Sequence, residues 1–113
     1  ARERKAFMEK MEIINAIASA GKAIVSMTKS VKSQRMVNKA DAAIFLEQIR
    51  FIQSRCRVRA YGVLVRDCVA EMSITLDHIN KKCFTGQSLE CAMDLLRMQY
   101  EGFAQILRNY LEG

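Results

Sequence analysis

Apolar residues recur at the three- and four-residue spacing of helices, and two short polar breaks divide that pattern into three stretches. The first runs from about residue 4 to 33. At 100° per residue, Glu12, Asn15, Ser19, Lys22, Ser26, Lys29 and Ser33 form a polar stripe. Ile13, Ile17, Gly21, Ile24 and Val31 lie opposite, with Ala16, Ala20, Ala23 and Met27 beside them. This is an amphipathic helix. The small residues Ala16, Ala20, Gly21 and Ala23 predict a packing interface where another helix axis comes close. Ile13–Met27 is too short to span a membrane: a span needs about 20 apolar residues, and this run has 15 with Asn15 and Lys22 inside it. Lying on a membrane surface is disfavoured too, because the run lacks the Trp, Phe or Leu that such helices insert.

The segment KSVKSQRMVNKAD interrupts the pattern, and Asn38 followed by Asp41 reads as an N-cap. Helical periodicity then continues over 39–82. Gln48, Arg55, Arg59, Gly62, Arg66, Ser73, Asp77 and Asn80 share one narrow sector, and the phase holds across Gly62. The expectation is one middle helix of about 44 residues and about 65 Å. Most of its remaining circumference is apolar, from Ile44 and Phe45 through Ile52 and Cys56 to Val69 and Leu76. A helix apolar most of the way round sits among neighbours, and two shorter helices cannot cover it. Self-association into a larger bundle is therefore expected. Two rival readings are a break at Gly62, giving four shorter helices, and a strand in RCRVRAYGVLV, where polar and apolar residues alternate.

The third stretch opens at CFTGQSLE. Thr85 is the expected N-cap, and Phe84 and Leu89 stand at the spacing of a hydrophobic staple. A helix over 86–111 follows. Leu89, Met93, Leu96, Tyr100, Phe103, Leu107 and Tyr110 step by four and three, a coiled-coil-like seam. Arg97 and Glu101 form an i, i+4 pair. The pattern as a whole predicts a single all-α domain over 1–113, a helical bundle of three long helices with the middle one longest.

Composition agrees with that fold. The chain has 113 residues, no proline and five glycines, so few turns are obligatory. The net charge is +6, and it is concentrated. Lys22 to Arg66 holds ten Lys and Arg against Asp41 and Glu47, net +8, leaving −2 for the rest. Such a field favours an anionic partner. Lys22, Lys29, Arg55, Arg59 and Arg66 are the candidate contact residues.

The four cysteines, Cys56, Cys68, Cys83 and Cys91, show no CxxC spacing and are accompanied by a single histidine, His78. A structural zinc site is not expected, and reduced thiols are, although Cys83 and Cys91 flank a turn. Asp67, Glu71 and His78, with Thr75, share a helix face, but the Glu-x-x-His repeats of di-iron bundles are missing. Pairing of these acids with Arg50, Arg57 or a neighbouring subunit is the expected use.

No glycine-rich phosphate loop, no nucleophile elbow and no Cys/His pair in a plausible setting is present, so neither catalysis nor a cofactor is expected. No secretory leader pattern is visible, and a cytoplasmic location is expected. Two functions fit. One is a helical interaction or assembly module that self-associates and meets an acidic protein through its basic face. The other is a nucleic-acid-binding regulator using Arg55, Arg59 and Arg66.

Overall fold

A computed structural model describes residues 2–113 and holds four α-helices: α1 (Arg2–Gln34), α2 (Lys39–Cys56), α3 (Gly62–Asn80) and α4 (Gln87–Glu112). Connections of four to six residues join them, too short for anything but antiparallel neighbours. α1 packs against α2 and α4, and α3 packs against the same two. The helices thus form an up-down-up-down ring measuring 51 × 22 × 20 Å.

The expected middle rod is two helices. Residues 57–61 form a turn, in which the Arg59 N–H donates to the Cys56 carbonyl and the Gly62 N–H to the Arg59 carbonyl. Gly62 is buried where α3 starts back along α2. A Cβ there would stand 2.7 Å from the Cys56 carbonyl oxygen and 2.8 Å from that of Arg57. The turn therefore closes only around a residue without a side chain. Neither the single rod nor the strand survives: 57–61 is a turn, and no strand occurs among the described residues.

The same break accounts for the apparent surplus of apolar surface. α2 buries Ala42, Phe45, Ile49, Ile52 and Cys56, and α3 buries Gly62, Val65, Val69, Met72, Leu76 and Ile79. On one continuous wheel these two sets lie on roughly opposite sides. Summed, they look like one helix greasy nearly all round. In the hairpin each is the single inward face of an ordinary amphipathic helix.

Tyr100 ties α4 to α1 and, across the core, to α2. Its ring meets Phe45 edge-on at 5.8 Å, and its hydroxyl donates to the Ile17 carbonyl. Gly21 leaves room for it, since a Cβ there would lie 3.0 Å from the Tyr100 oxygen. Ala16, Ala20 and Ala23 are buried on the same helix. At the first turn Asn38 caps α2, its side-chain oxygen accepting from the N–H groups of Ala40 (2.8 Å) and Asp41 (3.3 Å). From α1 the Ser26 hydroxyl donates to the Asp41 carboxylate on α2 at 2.6 Å.

Two details of the last helix differ from expectation. Gly86, at φ 57°, takes the position before α4, and Thr85 is instead held by Ser88, whose hydroxyl donates to the Thr85 carbonyl and accepts from its N–H. Tyr110, expected in the seam, is half exposed and stacks on Tyr61 at 4.8 Å.

Gly102 sits in the interior of α4, exposed, with nothing within 4 Å of where a Cβ would be. A helix-interior glycine costs about 1 kcal/mol relative to alanine, and no contact among the described residues requires it. The chain also exposes 7388 Å², against about 6,300 Å² for a compact monomer of this mass.

The turn gives a test of sign. Gly62→Ala forces a methyl against two carbonyls and should destabilise the protein by about 1–3 kcal/mol in urea unfolding. In a continuous helix the same change would stabilise by about 1 kcal/mol.

Candidate interaction site between the first and last helices

Lys22 and Lys29 are seven residues apart and so share the outward side of α1. Arg97 and Arg108, eleven apart, share the flank of α4 that turns toward α1. Antiparallel packing brings the two pairs to one open groove of about 630 Å³, with Ile24, Val25 and Tyr100 among its lining. Ser26 and Glu101 complete its polar part. Arg97 already bridges Asp94 at 3.6 Å and Glu101 at 3.5 Å. Lys22, Lys29 and Arg108 form no ion pair among the described residues. Burial pushes the Tyr100 phenol above its ordinary range, against the lowering effect of the Arg108 guanidinium and a backbone hydrogen bond. The groove is thus a neutral aromatic and aliphatic floor with cations along both rims.

The arginines expected to act as one stripe are separated by the turn. Arg55 pairs with Glu12 at 3.2 Å and lies over the Phe51 ring at 5.0 Å. Arg59 pairs with Glu9 at 2.7 Å. Both are half-exposed links from the end of α2 and its turn to the start of α1, each contributing about 0–1 kcal/mol. Arg66 stands on α3 and meets Asp67 at 3.3 Å. Of the five candidate contact residues, Lys22 and Lys29 meet at the groove, Arg55 and Arg59 are both engaged at the start of α1, and Arg66 stands apart from either pair on α3. Arg97 and Arg108 are the groove's additional members, and their eleven-residue spacing on one helix face was the available signal.

Ala16, also among the small residues of α1, lines a second groove together with Glu12, Asn15, Glu47, Arg50 and Phe51. Glu71 and His78 are exposed, and His78 meets the Phe84 ring edge-on at 6.5 Å. No group of three His, Cys, Asp or Glu side chains is placed to hold a metal ion among the described residues. No described helix is long and apolar enough to cross a membrane.

All four cysteines are free, and Cys83 and Cys91 are exposed and unbonded. Cys56 is buried at the end of α2, and burial pushes its thiol up to about 11 despite the nearby Arg59. Cys68, half-buried on α3, is raised by burial and by the neighbouring Glu71 and Asp67 carboxylates.

Compared with protein families, with characterised proteins and with solved structures, the chain finds no match.

Thiolates rather than thiols react with iodoacetamide, so exposure ranks the four sites, and the raised thiols of Cys56 and Cys68 slow those two further. At pH 8 Cys83 and Cys91 should be alkylated first and Cys68 more slowly. Cys56 should react only in urea, as read by peptide mass spectrometry. Because the folded thiol of Cys56 lies above the ordinary 9.0, its contribution to stability is complete below pH 9 and is lost as pH rises toward 11. Fast modification of Cys56 in the folded protein would contradict the buried position of the α2 end.

Proposed function

We propose that this chain is a non-enzymatic helical interaction module that self-associates and binds an acidic protein partner along the cationic face of α1. The observation that carries the reading is the division of charge between the two halves of the bundle. Residues 1–61, which contain α1 and α2, hold thirteen Lys and Arg against five Asp and Glu, net +8. Residues 62–113, which contain α3 and α4, hold five against seven, net −2. Lys22 and Lys29 rise from the basic half beside an apolar floor, and Arg108 faces them from α4. A helix or extended segment carrying both carboxylates and apolar side chains would match this groove in charge and in character.

A nucleic-acid partner rests on weaker ground, since Arg55 and Arg59 are each engaged with an acid on α1. The groove offers Tyr100 as its one aromatic, and its hydroxyl is committed to the Ile17 carbonyl.

Fluorescence anisotropy titrations separate the two. A labelled peptide rich in Glu, Asp and Leu should bind the protein, and Lys22→Glu with Lys29→Glu should weaken it on the order of ten-fold, about 1.4 kcal/mol. Generic duplex DNA and single-stranded RNA should bind less tightly at the same salt. Tighter, strongly salt-dependent binding to nucleic acid would favour the regulator. No binding to the peptide at low salt would remove the acidic-partner reading.

A further inference from the structure

α4 has a second face that no other helix among the described residues covers. Cys91, Leu95, Met98, Gly102 and Ile106 fall within about 80° on a helical wheel, opposite the buried seam. Leu95 is 50%, Met98 64% and Ile106 40% exposed. At the centre of this stripe stands Gly102, the helix-interior glycine that no contact among the described residues requires. We infer that this stripe of α4 is the surface on which a second copy of the chain docks, helix against helix, crossing near Gly102. The inference deepens the self-association half of the function proposed above.

Three observations select this occupant. The first is area: the chain as a whole exposes 7388 Å², about 1,100 Å² beyond a compact monomer of its mass, and the outer face of α4 shares that surplus with the start of α1. A stable pair needs about 800 Å² from each partner. The second is charge. Two copies meeting through α1 and α2 would bring +8 against +8, whereas the α3–α4 half carries only −2, so like meets like at low cost there. The third is the glycine itself, which lets two helix backbones approach where a side chain would hold them apart.

Two-fold symmetry makes the contact reciprocal. With the helices antiparallel about Gly102, Met98 of each copy covers Ile106 of the other.

Sedimentation equilibrium of the full chain tests this. The chain should sediment at twice its 12.9 kDa mass at micromolar concentration. Leu95→Glu with Met98→Glu should give a monomer that keeps the parent's helical circular dichroism, since both side chains are already exposed. Gly102→Leu, a second and milder probe, should weaken the dimer on the order of ten-fold or more. Phe7→Glu with Met8→Glu, which alters exposed apolar residues at the start of α1, should leave the dimer intact. A parent that stays monomeric would overturn both this inference and the self-association it rests on. A dimer that survives the α4 changes, or one that dissociates only with the Phe7 and Met8 changes, would overturn this surface and leave self-association standing.

Discussion

The close approach of Gly62 to the carbonyls of Cys56 and Arg57 decides the architecture. With a hydrogen atom in place of a side chain, the chain reverses in five residues and α3 returns along α2. Everything downstream follows from that reversal. Phe45 and Ile49 acquire a partner helix, α4 comes back alongside α1, and Tyr100 reaches Phe45 and the Ile17 carbonyl. The two inward faces of α2 and α3 close one core, which a straight helix of the same residues would have left on opposite flanks.

The outer helices and the start of α2 were legible in the sequence because their evidence is local. The cap at Asn38, the apolar stripe Ile13–Ile17–Ile24–Val31 and the seam from Leu89 to Leu107 each depend on neighbours within a few turns. The break at Gly62 was harder to see because a polar shoulder runs through Arg55, Arg59, Gly62 and Arg66 in one phase. In the folded chain that shoulder belongs to three segments, the end of α2, the turn and the start of α3. Periodicity reports the face of a helix and not whether the helix continues. Of the candidate site, the pairing of Lys22 with Lys29 was readable from their seven-residue spacing. Their meeting with Arg97 and Arg108 was not, because it depends on which helix returns beside α1.

The bundle divides its surface by charge and polarity. α1, α2 and the turn after α2 present most of the cations, two of them, Arg55 and Arg59, held by Glu12 and Glu9, while Lys22 and Lys29 at the α1–α4 groove form no ion pair among the described residues. The outward side of α4 is nearly free of charge through Leu95, Met98 and Gly102. Such a division suits two associations that do not compete: an apolar one between copies, weakly sensitive to salt, and a cationic one with an acidic partner, weakened by salt.

The most direct test of this architecture is the distance from α2 to α3 within one molecule. Spin labels at Arg50 and Asp77, which border one groove, should be separated by little more than the interaxial distance of packed helices, about 10 Å, plus the label arms. Dilution with unlabelled protein confines the reading to one chain. A continuous helix through Gly62 would hold the two sites about 40 Å apart, and a distance near that value would contradict the hairpin on which the core, the groove and the free face of α4 all depend.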